Sequence, residues 1–449
     1  MKPTTRDAYW LMHQGALALN ELTANGIAID TGYCRRQEDK LSDEISSLKQ
    51  KLLKTKEFKT WKNIYGQSFN IKSNKQLGDV LFNHMGHTPI KFSDDEGKNP
   101  SVDKEALETL DIPMVKVLVR LRKTRSARER LRGIMRETVD GFMHPFFGLH
   151  LMVSYRSQSS RMNFQNMDKR DKRKKKIVRR SLCARPGRQL GEFDYGQQEV
   201  RVAACTSHDP VLIDYIVNEG DMHLDMAMEI YLLDEDEVSY EARDCAKNRF
   251  VFPEFYGDWY KTCTKNLWEG IGEMSVCTKS GTPMKEHLRD QGIKSYKQFE
   301  KHLQGVEDRF WHERFKVFDA WREDLWRSYL KWGYVDLVTG FRCYETMKKN
   351  ECLNRPIQGP AFHCLLWTII QLNKHIKKQK MDTLMVGQIH DSGIADIVPD
   401  ECDDFLHSIV QIGTLDIREH WDWLIVPLEV DFGLSPIDGS WYDKEDYEL

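Results

Sequence analysis

The sequence predicts an α+β protein built from more than one structural unit. The chain has 449 residues, of which 40% are hydrophobic and 11% aromatic, enough to bury a core in each of roughly two or three units. Apolar residues recur at helical spacing in the first third of the chain, which favours long helices there. Near the carboxyl terminus, two short apolar runs are separated by the turn-forming residues HDSG, which is typical of a β-hairpin.

Two long helices are predicted between residues 31 and 140. Asp30 can cap the first helix, because its carboxylate can accept a hydrogen bond from an amide of the first turn. Apolar side chains in this helix recur at spacings of four, three and four, which places them in one stripe: Leu41, Ile45, Leu48 and Leu52. The second helix is expected to begin at Pro113 and to direct four side chains inward: Val117, Leu118, Leu121 and Leu131.

Beyond residue 140 the pattern indicates strands as well as helices. Residues 147–153 and 190–195 are short apolar segments that suit strands, and helices are expected from there to about residue 335. The apolar runs 384–389 and 394–398 form the predicted hairpin, which presents Asp391 in its turn.

Charge is unevenly distributed along the chain, although the net charge is only −3. Residues 161–190 contain twelve Arg or Lys and two Asp, whereas residues 429–449 contain seven acidic residues and one Lys. Such a basic stretch is typical of a surface that contacts nucleic-acid phosphates, although a solvated loop has the same composition. The chain lacks a long apolar run and a signal-peptide pattern, and its ten cysteines include no C-x-x-C pair. We therefore expect no membrane span, targeting signal, zinc site or disulfide framework.

Two aspartates are predicted at neighbouring strand ends. Asp194 ends the segment QLGEFD and Asp391 lies in the hairpin turn, so both can lie at one end of a single antiparallel sheet. Carboxylate oxygens suit Mg²⁺, which retains water and takes further ligands from substrate phosphates. Paired carboxylates of this kind hold the metal ions of many phosphoryl-transfer enzymes. Taken singly, each Asp is more simply explained as a turn or cap residue.

Six segments, in order along the chain, resemble the motifs of the family A DNA polymerases, the bacterial polymerase I and phage type. The first palm motif of that family resembles DYGQQEVR (194–201), its fingers helix resembles RDCAKNRFVFPEFYG (243–257), and its second palm motif resembles QIHDSG (388–393). Further matches are SYRSQSSRMNFQN, GDMH and NRPIQG, and the approach to the thumb resembles NGIAID and FNIKSNKQLGDVLF. The resemblance covers nearly the whole chain and implies a right-hand polymerase fold, with a thumb, a palm containing an antiparallel sheet, and helical fingers.

The resemblance also implies a division of the chain. An amino-terminal segment at 1–30 would pack on the palm, followed by a thumb at 31–140, a first part of the palm at 141–210, fingers at 211–339 and a second part of the palm at 340–449. The implied reaction adds deoxynucleoside monophosphates from dNTPs to a primer 3′-hydroxyl on a template and releases pyrophosphate. Its implied cofactors are two Mg²⁺ ions, for which Mn²⁺ is an expected substitute. A proofreading exonuclease would need roughly 150 further residues. Only about thirty precede the thumb-like part, so we expect no proofreading by this chain.

Residue roles follow from the matched positions. The resemblance assigns catalysis to Asp194 and Asp391, and metal binding to the same two residues with Tyr195. It implies that the following residues bind the dNTP: Arg243, Lys247, His223, Glu199, Gln197, Phe252 and Tyr256. It implies that the following residues contact DNA: Arg156, Asn354, Gln358, His390, Lys116, Arg120, Lys172, Arg173 and Lys174.

Several of these roles have a physical reason. Arg243 and Lys247 are four residues apart on one helix face and can offer a guanidinium fork and a point charge to adjacent phosphates. By resemblance, Glu199 would exclude a ribose 2′-hydroxyl. Arg156 and Gln358 would contact the minor groove, where hydrogen-bond acceptors are nearly the same for every base pair.

The fingers helix departs from the family spacing. The aromatic residue and the tyrosine of the motif match Phe252 and Tyr256, one position later than a regular helix starting from Lys247 allows. One extra residue turns a helix by about 100°, which would move both rings off the lysine face. We predict a π-bulge or kink between Lys247 and Pro253, because proline lacks an amide hydrogen and disturbs the preceding turn. The alternative is a regular helix in which Val251 and Phe255 take the places of Phe252 and Tyr256.

Two further departures concern single residues. Ser392 follows Asp391 where many relatives have Glu, and Asn350 stands four residues before Asn354 where relatives often have Arg. An auxiliary carboxylate and one template contact are therefore absent or displaced.

Two alternative functions remain open. A single-subunit RNA polymerase of related fold is disfavoured by Glu199 and by the intact QIHDSG segment. A non-catalytic DNA-binding scaffold is disfavoured because Asp194, Asp391, Arg243 and Lys247 are all retained. The implied partners are primer–template DNA and dNTPs, with a separate exonuclease or processivity subunit as a further expectation and no membrane. The expected location is the cytoplasm of a bacterium or a phage-infected cell.

Overall fold

The computed structural model describes residues 3–89, 92, 100–108, 110–167, 171–273 and 276–449. Its α-helices are α1 Thr5–Asn25, α2 Thr31–Lys54, α3 Lys56–Tyr65, α4 Asn74–Gly78, α5 Lys104–Glu108, α6 Pro113–Arg136, α7 Lys172–Arg179, α8 Gln198–Ser207, α9 Pro210–Val217, α10 Met222–Tyr231, α11 Tyr240–Ala246, α12 Phe252–Phe255, α13 Tyr260–Glu273, α14 Met284–Asp290, α15 Tyr296–Arg309, α16 Lys316–Trp332, α17 Lys349–Gln379, α18 Cys402–Val410 and α19 Ile417–His420. Its strands are β1 Ile27–Ile29, β2 Thr138–Val139, β3 Phe142–Met143, β4 Phe146–Gly148, β5 Gln158–Ser160, β6 Leu182–Cys183, β7 Gln189–Tyr195, β8 Val335–Asp336, β9 Arg342–Cys343, β10 Leu384–Ile389, β11 Ser392–Ile397, β12 Val430–Leu434 and β13 Glu445–Tyr447. Segments of π-helix are Asp79–His84, Lys247–Val251, Phe310–Arg314 and Gln411–Asp416.

A five-stranded antiparallel sheet lies in the larger hydrophobic core, with strand order β10-β11-β7-β12-β13. The predicted hairpin is confirmed: β10 and β11 pair in antiparallel register and are joined by the two-residue turn His390–Asp391. The predicted strand at 190–195 is confirmed by β7, which pairs with β11 on one side and β12 on the other. Helices α1 and α17 contact β10, so the edge of the sheet that β10 forms is covered.

The amino-terminal segment contributes both a helix and a strand to the surrounding structure. Helix α1 contacts α17 and β4 as well as β10. Strand β1 lies inside a second sheet of order β2-β3-β1-β6 and pairs with β3 and β6.

The two long helices predicted between residues 31 and 140 are confirmed as α2 and α6, which contact each other extensively. The Asp30 carboxylate accepts a hydrogen bond from the Tyr33 amide at 2.7 Å and caps α2. All four residues of the predicted α2 stripe are buried, whereas on α6 Val117 is only half-buried. A separate smaller core is formed from side chains between Ile45 and Leu121, apart from the core that holds the large sheet.

The strand predicted at 147–153 is wrong beyond Gly148. Strand β4 pairs with β5 only from Phe146 to Gly148. The side chains that follow, Leu151, Met152 and Val153, are exposed. Apolar composition favoured a strand, but among the described residues no strand pairs with the chain beyond Gly148, and residues 153 and 154 form a turn.

The chain has no helix, in the regions that the structure describes, that is long and apolar enough to cross a membrane.

Candidate active site

Asp194 and Asp391 lie side by side at one end of the large sheet. Asp194 is exposed near the end of β7, and the amide of the next residue, Tyr195, donates to the Asp391 carbonyl at 3.3 Å. His390 precedes Asp391 with a left-handed φ of 54°, which a non-glycine residue adopts at some energetic cost. The Gln388 side chain donates to the His390 carbonyl at 2.6 Å and fixes this turn. The predicted juxtaposition of the two aspartates is therefore present.

A third carboxylate, which the sequence analysis missed, lies next to them. Asp431 on β12 pairs directly with Asp194, just as Ser392 does on the opposite side. Residues paired across antiparallel strands point to the same face of a sheet, so the Asp194 and Asp431 side chains share a face. The hydroxyl of Ser392 donates to Glu192 at 3.2 Å and supplies no carboxylate itself. The alternating polar and apolar residues of the segment VDFGL could have predicted strand β12. They could not have predicted that β12 pairs with β7, which only the structure shows.

The oxygen ligands at this sheet end fit divalent ions that also bind substrate. The described residues contain no group of three or more His, Cys, Asp or Glu side chains that encloses a metal site by itself. Mg²⁺ does not need such a group when it retains water and takes phosphate oxygens as ligands. Tyr195 can contribute only its main-chain carbonyl, because its side chain is buried and its hydroxyl donates to the Gly413 carbonyl at 2.9 Å.

A cavity of about 400 Å³ opens beside Asp391. It brings together eight of the predicted site residues: Arg156, Gln197, Glu199, Phe252, Tyr256, Gln358, His390 and Asp391. These residues come from α8 and the residue before it, α12 and the turn after it, α17, the sheet turn and the loop before β5, so they are widely separated in sequence. The cavity therefore has the convergent polar groups and aromatic walls of a ligand site.

Glu199 is held at the cavity wall by two partners. Its Oε2 accepts a hydrogen bond from the Tyr256 hydroxyl, and its Oε1 lies 3.6 Å from Arg156 Nη1. Burial, with the adjacent Glu199 carboxylate, raises the pKa of Tyr256, so this hydroxyl remains a donor. Asn354 of α17 donates from its side chain to the Tyr256 carbonyl at 3.4 Å. Glu199 therefore has a fixed position at the cavity wall.

The predicted bulge in the fingers helix is present. Residues Lys247–Val251 form a π-helix, and the Phe252 amide bonds to the Lys247 carbonyl five residues earlier. Phe252 consequently lies 5.4 Å from Lys247 Nζ and 5.6 Å from the His223 ring, measured from its ring centroid. Val251 is buried, at 1% exposure, so the regular-helix alternative is wrong.

A second cavity, of about 330 Å³, joins His223 and Arg243 to Gln197, which lines both cavities. Arg243 Nε donates to Asp221 Oδ2 at 2.7 Å. Burial would raise the pKa of Asp221, but the hydrogen bonds from Arg243 and from a main-chain amide outweigh it, so that pKa is lowered. Burial, followed by the nearby positive charges of Lys247 and Arg243, lowers the pKa of His223 to about 4. His223 is therefore neutral at pH 7 and keeps one N–H donor.

Of the five basic DNA contacts predicted on α6 and α7, four line one groove and one lies outside it. A groove of about 570 Å³ between α6 and α7 is lined by Lys116, Arg120, Arg173 and Lys174. Within it, Arg120 and Arg173 both bind Glu44 of α2, with N–O distances of 2.8 and 3.1 Å. Lys172 is exposed outside the groove, and Lys116 pairs with Asp111.

Within the basic stretch 161–190, the run of cations from residue 169 to residue 180, called here the basic run, does not direct all of its side chains to solvent. Its last residues face the protein: the Arg179 guanidinium lies 3.9 Å from the Trp441 ring centroid, and Arg180 binds Asp443 at 3.0 Å. Lys169 and Arg170, at its start, lie outside the described residues.

Three comparisons with known proteins all find similarity to DNA polymerases. Residues 33–443 match the family described as DNA polymerase family A. The chain is 26% identical to DNA polymerase I of Bacillus subtilis over 96% of its own length and 45% of that protein, and 24% identical to the DNA polymerase of Bacillus phage SP01 over 75% of its length and 36% of that protein. The chain thus spans less than half the length of these relatives. A solved structure, the POL domain of Pol1 from M. smegmatis in complex with DNA primer-template and dNTP, matches with a TM-score of 0.71 at 22% identity, over 96% of this chain and 70% of that one.

Proposed function

Because the chain belongs to DNA polymerase family A, we propose that it extends a DNA primer on a template with dNTPs, by phosphoryl transfer assisted by two divalent metal ions. It has the right-hand polymerase fold that the sequence motifs implied. The observation that carries the proposal is the position of Asp391, which adjoins Asp194 and also lines the 400 Å³ cavity with Glu199, Phe252 and Tyr256.

Asp194 and Asp391 would hold Mg²⁺, or Mn²⁺ in its place. Bound divalent ions neutralise the triphosphate and favour attack by the primer 3′-hydroxyl. The acidic side chain of Asp431 adds negative charge beside Asp194, which compensates for the serine at position 392.

The remaining site residues would bind and orient the nucleotide. Arg243 and Lys247 supply positive charge for the phosphates, and neutral His223 supplies an N–H donor. Phe252, held beside Lys247 by the π turn, would stack on the incoming base. Glu199, fixed by Tyr256, would leave no room for a ribose 2′-hydroxyl.

The DNA would contact both cavity and groove. Arg156 and Gln358 line the cavity next to His390 and would reach the minor groove at the primer end. The groove between α6 and α7 would follow the duplex backbone through its cationic side chains. The thumb would comprise residues 31–140, the palm residues 141–210 and 340–449, and the fingers residues 211–339.

Primer extension tests the proposal directly. Asp194→Asn and Asp391→Asn should each abolish Mg²⁺-dependent extension while leaving primer–template binding within about twofold, because the ions serve chemistry more than docking. Asp446→Asn is the matched control, since Asp446 is an exposed aspartate on β13 of the same sheet. Extension by either of the first two variants at the control rate would refute the two-carboxylate mechanism. The same primer assay, run without dNTPs, tests the expectation that this chain does not shorten the primer.

A further inference from the structure

A buried glutamate lies in the fingers between two residues of the proposed nucleotide site. Glu254 is fully buried and stands between Phe252 and Tyr256 in α12 and the turn that follows. A carboxyl group in an apolar interior must be hydrogen-bonded or neutral, because an isolated buried charge is strongly unfavourable. The partners of Glu254 therefore decide its charge.

Those partners are mostly neutral donors and a second acid. Trp311 Nε1 donates to Glu254 Oε2 at 2.8 Å, and Cys263 Sγ donates to Oε1 at 3.4 Å. The Glu307 carboxyl group of α15 accepts the Tyr260 amide at 2.7 Å and interacts with the Glu254 carboxyl group. Two ionised carboxylates can only accept hydrogen bonds, so a hydrogen bond between them requires a proton on one of them.

The nearest cation does not neutralise the two acids by direct pairing. The Arg322 guanidinium lies over the Trp311 ring, 4.1 Å from its centroid, and its Nη1 is buried without a hydrogen-bond partner among the described residues. Burial lowers the pKa of Arg322. Further acidic residues act on the members of this cluster: Asp258, Asp308, Asp319 and Glu323.

Burial acts in the same direction on the two glutamates, and the positive charge of Arg322 opposes it only in part. Burial, followed by the negative charge of Glu307, raises the pKa of Glu254, and burial also raises the pKa of Glu307. Burial raises the pKa of the Cys263 thiol as well, so it stays a donor. The cations of the adjoining π turn, Lys247 and Arg249, contact an aromatic ring and a main-chain carbonyl instead.

We infer that Glu254 and Glu307 share one proton, and that this carboxyl pair positions α12 and the Tyr256 turn for nucleotide binding. The inference rests on the proposed function and makes Glu254 a positioning residue, since no substrate contact is assigned to it. Its hydrogen bonds join α12 to α13 and to the π segment after α15. Loss of the shared proton leaves two adjacent buried negative charges, which must separate or become hydrated. The segment that carries Phe252 and Tyr256 then leaves its binding arrangement.

The first test is the pH dependence of nucleotide KM and kcat in primer extension, over roughly pH 6 to 9.5, the range into which burial moves a glutamate. Wild type should lose apparent nucleotide affinity by about tenfold per pH unit once the shared proton dissociates, because only the protonated fraction binds productively. Glu254→Gln keeps the shape without an ionisable group and should remove this dependence while kcat changes little. Glu313→Gln is the control, an exposed glutamate in the π segment after α15. It should keep the wild-type profile.

The second test needs no catalytic activity and so remains valid if the proposed function fails. The Trp311 indole N–H resonance should shift with pH in wild type and stay constant in Glu254→Gln. The folding constant should fall as pH rises, by up to about tenfold per unit, because the folded state with its raised pKa binds more protons than the unfolded state. If Glu254→Gln does not fold, Glu307→Gln provides the same comparison. An indole signal that does not titrate, or equal pH profiles of KM in wild type and in the glutamine variants, would overturn the inference.

Discussion

Phe252 and Val251 are neighbours that the π turn directs to opposite sides, so alanine substitutions separate nucleotide binding from folding. Phe252 lines the cavity, whereas Val251 is 1% exposed and packs in the core. Stacking of a base on an aromatic ring is worth roughly 1–3 kcal/mol by alanine substitution, so Phe252→Ala should raise nucleotide KM by about 5- to 150-fold. Val251→Ala should instead lower the free energy of unfolding by about 1–3 kcal/mol and leave KM within about twofold.

Single-nucleotide incorporation gives the KM values, and urea denaturation gives the free energies of unfolding. Phe250→Leu is the control for removal of an aromatic ring from the adjoining π segment. The Phe250 ring is fully buried and lies 5.5 Å from the Phe310 ring, away from the cavity, so this variant should lose stability without a change in KM. A larger KM effect at Val251 than at Phe252 would refute the assignment of Phe252 as the stacking residue.

Two further predictions concern sugar selection and DNA binding. Glu199→Ala should reduce the ratio of kcat/KM for deoxynucleotides over ribonucleotides, by about tenfold or more. An unchanged ratio would place the selection elsewhere. Replacing Lys172 and Lys174 with Gln should weaken binding to all DNA sequences alike and should flatten the slope of log K against log salt by about 0.9 for each DNA phosphate that the variant no longer neutralises. Arg180→Gln should leave that slope unchanged, because Arg180 already binds Asp443. Equal slopes in both variants would show that the basic run does not contact DNA phosphates.

The parts of the site that sequence could predict are those determined by local pattern. The hairpin between 384 and 398 follows from two apolar runs and a turn, and it alone places Asp391 at a strand end. The π turn follows from a one-residue mismatch between Lys247 and Phe252 together with a proline at the next position. Both features arise from residues close in sequence. Apolar runs and turn residues are enough to predict the hairpin, whereas the π turn could be predicted only because the resembling family motif gives the expected spacing.

The parts that sequence could not predict depend on distant partners. Asp431 lies beside Asp194 because β12 pairs with a strand more than two hundred residues earlier in the chain. The segment VDFGL does not indicate which strand it will pair with. The basic run shows the same difficulty, because Arg173 is drawn to Glu44 of α2. Charge composition gives the sign of a surface but not which of its cations already have a partner in the protein.

The two aspartates proposed to hold the metal ions have main chains of unequal rigidity. Asp194 belongs to a strand hydrogen-bonded on both sides, so its main chain moves only if the middle of the sheet opens. Asp391 belongs to a two-residue turn that depends on a left-handed histidine and on one glutamine side chain. Local opening therefore costs far less at Asp391, and amide hydrogens at the turn should exchange with solvent long before those of β7. In the proposed metal site we therefore expect Asp194 to be the fixed point and Asp391 to be the part that adjusts.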